Sequence, residues 1–293
     1  SLVGSEMCIR DSARPRFIYE AACCGLRDFF VKNGYKKACV GVSGGIDSAV
    51  VACLAVAALG AENVRGLMMP SQFSSEGSVE DAKQLAENLG IEFHVVPITE
   101  AYRSIVDTLI PVIGGTDFDA TEENIQSRIR TLMLMALQNK NGYVLLNCSN
   151  KSENALGICT LYGDTGGAFS VTGDLYKTEM YDLARYINRK FGAPIPENIL
   201  TKEPSSELRP NQKDSDMLPS YEVVDAILYR LIEDGQSREE IINAGFDSDE
   251  VQKIYAMVMR NEKKRFQYPP VLRLSSSSFG HEYRMPLTHK YVK

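Results

Sequence analysis

Tryptophan is absent and histidine occurs only three times, as His94, His281 and His289. No two cysteines stand in C-x-x-C spacing, so the ligand pattern of a structural zinc site is missing. The seven thiols (Cys8, Cys23, Cys24, Cys39, Cys53, Cys148, Cys159) are odd in number and scattered through apolar segments. They predict reduced side chains in a cytoplasmic protein and exclude a small disulfide scaffold. The longest unbroken apolar run, Ala49 to Leu59, falls short of the ~20 residues that cross a bilayer. No secretory signal is visible. Basic excess is lacking too: 32 Lys plus Arg against 38 Asp plus Glu leave a formal charge of −6. That argues against a nucleic-acid coat protein, so neither a membrane nor a nucleic acid is expected as partner. What remains is ordinary for a globular chain: 293 residues, 44% hydrophobic and 24% charged, enough for one large domain or two small ones with a sizeable core.

Apolar runs alternate with helical patterns. Phe17 to Phe30 has helical spacing and Gly34 ends it. Ala38 to Val42, Val64 to Met69, Ile91 to Val96 and Tyr143 to Leu146 read as strands. Between them fall helices over Ala49 to Leu59, Val79 to Leu89 (with Ser78 and Asp81 as a capping signature) and Thr121 to Gln138. Such alternation predicts an α/β fold: a doubly wound, mostly parallel sheet with helices on both faces. A helix over Thr178 to Lys190 precedes a stretch broken by Pro194, Pro196, Pro204, Pro210 and Pro219, which is not expected to be regular helix. Helices over Tyr221 to Glu233, Arg238 to Ala244 (capped by Ser237 with Glu240) and Asp249 to Arg265 follow as a C-terminal helical extension, then an irregular Ser-rich tail from Pro269. Ser1 to Ser12 match no pattern and resemble a translated adapter scar. The expected organisation is therefore a leader over 1–16 and one domain over 17–293, with a core at about 36–200 and a lid plus helical part at about 201–293.

Gly41-Val42-Ser43-Gly44-Gly45-Ile46-Asp47-Ser48 lies at the carboxyl end of the first strand and opens a helix. Ligands of open α/β sheets bind there. The glycines admit an anion to the backbone N–H groups, the helix N-terminus favours negative charge, and Ser43 and Ser48 add donors. Asp47 beside a phosphate makes sense if a cation sits between them, which suggests a Mg²⁺ ligand. The competing reading is a Gly-rich turn whose Ser and Asp cap the helix. The loop has no Walker lysine, which points to chemistry at the α-phosphate of ATP with release of pyrophosphate.

Val42-Ser-Gly-Gly-Ile-Asp-Ser48 resembles the pyrophosphate loop of the N-type ATP pyrophosphatases. Within that superfamily five further segments are similar to NAD synthetases: Met69-Pro-Ser-Gln-Phe-Ser-Ser75, Glu122-Glu-Asn-Ile-Gln-Ser-Arg-Ile-Arg130, Asn150-Lys-Ser-Glu153, Leu161-Tyr-Gly-Asp164 and the run from Lys202 to Asp216. Asn150-Lys-Ser-Glu153 and Leu208 to Asp216 resemble the bacterial glutamine-dependent branch, whose members carry a nitrilase-like glutaminase domain ahead of the synthetase. There is no room for one before Tyr19, so the chain is expected to be the synthetase half. The resemblance implies an adenine nucleotide alpha hydrolase-like fold and a dimer. It also implies ATP-dependent amidation of deamido-NAD to NAD through an adenylated intermediate, with ammonia as nitrogen donor. The alternative is another N-type ATP pyrophosphatase, tRNA-modifying or of the amidotransferase type.

Carried over position by position, the resemblance implies that Gly41 to Ser48, Cys148, Lys177 and Ser205 contact ATP. Asp47 and Lys177 would be catalytic, and Asp47 with Glu153 would hold Mg²⁺. Asn124, Arg128, Glu153, Lys264 and His281 would meet deamido-NAD. Several positions keep a plain alternative. Cys148, where the family usually has threonine, suits a small buried hydrophobe. Asn124 and Arg128 share one helix face that could simply be solvated, and Lys264 sits in a basic run. Asp164 would orient substrate or ammonia, or serve as a turn residue. Arg130 points elsewhere and is expected to be structural. The Pro-rich segment holding Ser205 is expected to close over the site as a lid.

Overall fold

Short apolar runs that must be covered on both faces become central strands of a parallel sheet. In the computed structural model, which describes residues 3–114 and 117–289 with side chains from residue 13 onward, these are β1 (Lys37–Gly41), β2 (Val64–Met68) and β4 (Tyr143–Asn147). An edge strand flanks them on each side, β3 (Glu92–Val95) and β5 (Phe169–Ser170), in the order β3-β2-β1-β4-β5, all parallel. β3 carries Glu92 and His94, the charged decoration that keeps an edge from pairing further. The helices before the C-terminal part are α1 (Val3–Asn33), α2 (Ile46–Leu59), α3 (Glu76–Leu89), α4 (Thr99–Ile113), α5 (Ala120–Asn141), α6 (Lys151–Leu156) and α7 (Lys177–Phe191).

Strand residues alternate between two cores, as a pleat requires. Ala38, Val40, Val144 and Leu146 pack with α1, α2, α3 and α7. Cys39 and Leu145 pack with α4 and α5. Helices therefore cover both faces, as expected. The strand order reverses direction between β1 and β4, which opens a crevice beyond their carboxyl ends.

Several boundaries differ from expectation. α1 starts at Val3, not Phe17; it contains a buried Pro15, and Arg14 pairs with Glu179 of α7. Residues 1 and 2 of the expected leader, and its side chains through residue 12, lie outside the described residues. The cap of α3 is Ser75, whose hydroxyl accepts the Ser78 N–H at 3.1 Å, while Asp81 pairs with Lys202 at 2.9 Å. α5 is capped by Asp119, not Thr121. α4 was not expected. Neither was α8 (Glu197–Thr201), one turn of helix fitted between Pro196 and Pro204.

The C-terminal part holds α9 (Tyr221–Ile232), α10 (Arg238–Asn243), α11 (Ser248–Arg260) and α12 (Glu262–Arg265), so the helix expected over Asp249 to Arg265 breaks at Asn261. Val224, Leu228, Val251 and Ile254 form a separate core with Ala155 and Leu156 of α6. The tail is strapped back at Ser170 N–H to Pro270 O (2.9 Å) and Leu272 N–H to Ser170 O (3.0 Å). The buried Lys151 ammonium joins Asp174 (3.0 Å) and Glu233 beneath the strap. Among the described residues no helix is long and apolar enough to cross a membrane.

Candidate active site

The crevice holds a cavity of about 320 Å³ lined by the loop after β1, the segment after β4, the start of α7 and residues 202–208. The loop is organised by its serines. Ser48 Oγ accepts the Ser43 N–H at 3.1 Å and donates to Gly45 O at 3.1 Å, and Ser43 Oγ accepts the Gly45 N–H at 3.2 Å. Gly44 has φ +77°, and a Cβ there would stand 2.2 Å from Ser78 O. Only glycine satisfies both the left-handed backbone and the close approach of α3. Gly41, Val42, Ser43, Gly45, Ile46, Asp47 and Ser48 all line the cavity.

Three charged side chains meet on its floor. Lys177, on the first turn of α7, sends its ammonium to Asp47 Oδ2 at 2.6 Å and Glu153 Oε1 at 3.3 Å. Asn150 caps α6 and touches both carboxylates: its Oδ1 accepts the Glu153 N–H at 2.9 Å, its own N–H donates to Glu153 Oε2 at 3.4 Å, and its Nδ2 donates to Asp47 Oδ1 at 3.0 Å. Burial disfavours the Lys177 ammonium, but Asp47 and then Glu153 outweigh it, so its pKa stands well above the ordinary value. Glu153 is pushed up to about 8 by burial; Lys177 opposes that shift and the Asp47 charge adds to it. The two shifts pull against each other across one contact. Geometry decides: Lys177 is closer to Asp47, and Glu153 is left short of a cation. Ionised together, the two carboxylates outnumber the one ammonium by a charge, and Glu153 holds its proton more tightly for it. The pair suits Mg²⁺, which takes one or two carboxylates and completes its shell with water and phosphate oxygens. Among the described residues no three His, Cys, Asp or Glu groups converge, so the protein offers no complete cage.

Cys148 and Ser205 also line the cavity. Burial, then the Asp47 and Glu153 charges, raise the Cys148 thiol pKa, so the thiol stays protonated. Ser205 Oγ donates to Gln212 O at 2.6 Å within the 202–216 segment.

Besides Gly44 of the loop, four expected positions lie outside the cavity lining. Asn124 Oδ1 accepts from Thr160 Oγ1 at 2.7 Å, and Arg128 Nε donates to Leu161 O at 3.1 Å, so both hold the 160–164 turn. Lys264 Nζ donates to Gly157 O (2.6 Å) and Cys159 O (2.9 Å), closing the end of α6. His281 is exposed on the tail.

Arg130, expected to be structural, lines the cavity instead, with Nε donating to Met69 O at 2.9 Å. Burial lowers its pKa to about 10, while Glu207 and Asp164 support the charge. Its spacing from Ile129 and Leu134 on α5 gave no such signal, because the groove wall it joins comes from β2. Asp164 opens onto the cavity yet is ringed by protein. That burial pushes it up to about 6 against hydrogen bonds from the Thr160 N–H and Ser127. Asn150 could have been found from its N-x-x-E capping pattern.

The NAD synthase family model matches residues 18–268. A glutamine-dependent NAD(+) synthetase of Aquifex aeolicus is 52% identical over 276 residues, covering 94% of this chain and 48% of that protein. The solved glutamine-dependent NAD+ synthetase of Acinetobacter baumannii in complex with ADP is 41% identical, with TM-score 0.63 over 92% of this chain and 49% of its own. The NH3-dependent NAD synthetase of Campylobacter jejuni is 30% identical, with TM-score 0.68 over 85% of this chain and 95% of its own. The chain spans about half the length of the curated relatives it matches.

Proposed function

The chain belongs to the NAD synthase family, and we propose that it carries the synthetase reaction: ATP-dependent amidation of deamido-NAD to NAD, with AMP and pyrophosphate released. The observation that carries this reading is the Asp47–Lys177–Glu153 cluster at the foot of a glycine loop, in one cavity with Ser205 and Cys148.

In the first step the nicotinate carboxylate attacks the α-phosphorus of ATP, and the bond to the pyrophosphate oxygen breaks. Backbone N–H groups of residues 43–48 and the α2 N-terminus receive the phosphates. The Lys177 ammonium lies beside them and offsets developing charge. Mg²⁺ held by Asp47 and Glu153 would neutralise the pyrophosphate leaving group. In the second step ammonia attacks the acyl carbon of the adenylate, AMP leaves, and the nitrogen sheds a proton. Asp164, with its raised pKa, is the carboxylate suited to orient ammonia or receive that proton. Asn124, Arg128, Lys264 and His281 remain candidates for the dinucleotide through the turn and tail they occupy. tRNA-modifying and other N-type ATP pyrophosphatase chemistries are disfavoured, since the similar proteins are NAD synthetases and, among the solved structures, an NMN synthetase of Francisella tularensis (26% identical, TM-score 0.74).

We further place the reaction in the cytoplasm, where the six described cysteines, all free, would stay reduced. A dimer is expected, and the exposed Val112 of α4 and Leu132 of α5 mark a surface for it. A glutaminase domain elsewhere in a longer protein would be the natural ammonia source.

The test supplies the purified chain with ATP, Mg²⁺, ammonium and either deamido-NAD or nicotinate mononucleotide. AMP, pyrophosphate and NAD should form in equal amounts with deamido-NAD. Absence of pyrophosphate release with deamido-NAD, or faster turnover of the mononucleotide, would overturn the assignment.

A further inference from the structure

The segment 202–208 is fastened over the cavity by a carboxylate that nothing in the reaction requires. Glu207 Oε1 accepts from Ser75 Oγ at 2.7 Å and from Ser78 Oγ at 2.8 Å, and Glu207 Oε2 accepts the Ser75 N–H at 3.2 Å. The carboxylate is thus seated on the N-terminus of α3, where the helix favours negative charge. Its backbone has φ +48°, a conformation costly for a side-chain-bearing residue and held only when the surroundings enforce it. Lys202 adds a second fastening, to Ser78 Oγ at 3.1 Å and Asp81 at 2.9 Å, and Gln126 Nε2 reaches Leu208 O at 2.9 Å.

Two contacts tie this seat to the chemistry. The Glu207 N–H donates to Ser205 Oγ at 3.1 Å, which orients the hydroxyl implied to meet ATP. Ser78, the residue Glu207 holds, presses its carbonyl against Gly44 of the anion-binding loop. We propose that Glu207 is a positioning residue and the latch of the lid: seated on Ser75 and Ser78, it holds residues 202–208 shut while setting Ser205 and Gly44 in register. The occupant of the closed site is the acyl-adenylate, so this rests on the ligase reading. The latch keeps water out until ammonia arrives. When water attacks the acyl carbon instead, the products are AMP and unchanged deamido-NAD, and one ATP is consumed without NAD.

Two measurements test this. The first needs no activity: limited trypsin digestion at Lys202 and Lys213, since Arg209 precedes Pro210 and resists the protease. Glu207→Gln keeps the size but removes the charge that the α3 N-terminus favours and one of the two acceptor oxygens, and should speed lid cleavage roughly tenfold. Ser78→Ala should do the same from the other side of the contact, and the double variant should be no faster than the worse single one. The second measurement is AMP formed per NAD at limiting ammonium. It should be near one in the parent chain and rise several-fold in Glu207→Gln. A merely structural role would lower both products together. Unchanged lid cleavage, or a ratio that stays at the parent value, overturns the latch. If the parent chain forms no NAD, the ligase reading fails, and the digestion still decides the latch.

Discussion

Both oxygens of Asp47 are engaged, one by Lys177 and the other by the Asn150 amide, and in the proposed reaction the same carboxylate would also hold Mg²⁺. Asp47→Asn removes the charge and keeps the shape. Turnover should fall by at least roughly 100-fold. The loop's serine contacts do not involve Asp47, but the buried Lys177 then keeps only Glu153 as a carboxylate partner, so the melting temperature should fall by several degrees with the fold retained. Near-normal turnover at saturating Mg²⁺ would refute the metal role. Residues of this kind were legible because the chemistry fixes their local spacing: a glycine pair before Asp47, and an asparagine cap three before Glu153. The place of Arg130 on the cavity wall, and that of Glu207, were not legible for the opposite reason. Each acts across more than 60 residues of sequence, on Met69 and on Ser75, so no local pattern encodes it. Asn124, Arg128 and Lys264 were singled out by resemblance, and in the structure their side chains bond to the backbone or to a threonine of the segment at 157–161.

Three helices converge on one buried carboxylate. Asp225 of α9 accepts from Ser152 Oγ of α6 and from the Thr178 N–H of α7 at 2.8 Å, and Ser152 Oγ in turn accepts the Lys177 N–H at 2.9 Å. The C-terminal helices thereby hold the start of α7, where Lys177 sits. Burial pushes Asp225 up to about 6, against the hydrogen bonds from Ser152 and Thr178. A carboxyl whose folded pKa exceeds its unfolded one keeps its proton longer in the native state. Stability should therefore fall as pH rises between about 4 and 6, by on the order of 3 kcal/mol in full. Asp225→Asn lacks this loss. In urea unfolding, the variant should gain on the parent as pH rises through that window and run parallel above it. A difference that is constant with pH, or drifts the other way, would show that Asp225 does not titrate there. Elements with a strong period were legible to within a residue or so, β1, β2 and β4 among them. β5 is two residues long and has no period to read. α4 does carry one, in Tyr102, Ile105, Val106 and Leu109, and a period search over residues 99–113 would have found it. The caps of α3 and α5 differ from expectation because neighbouring polar side chains compete, Ser75 with Ser78 and Asp119 with Thr121. Ser75 and Ser78 both precede a polar partner by three, and only packing against Gly44 and Glu207 selects the first.

At the scale of the whole molecule the open question is where the nitrogen comes from. Similar proteins include both glutamine-dependent and NH3-dependent synthetases. A glutaminase nucleophile needs a thiol with a depressed pKa, an activating base and an oxyanion hole. Among the six described cysteines, burial raises the thiol pKa of Cys23, Cys39, Cys53, Cys148 and Cys159, which is the wrong direction for attack, and the exposed Cys24 of α1 lies outside the cavity lining. The cavity that reaches Cys148 is the one proposed for the nucleotide, so that thiol has no separate place to bind glutamine. The purified chain should therefore make NAD from ammonium salts and not from glutamine freed of contaminating ammonium. Ammonia and not ammonium is the nucleophile, so at fixed total ammonium the rate should climb with pH, as more of the free base is present. Asp164, raised to about 6, would already be ionised over that rise and able to accept the proton. NAD formation with each nitrogen source across pH is the measurement. Glutamine-driven synthesis by the isolated chain would sink the argument, and so would a rate that ignores pH at limiting ammonium.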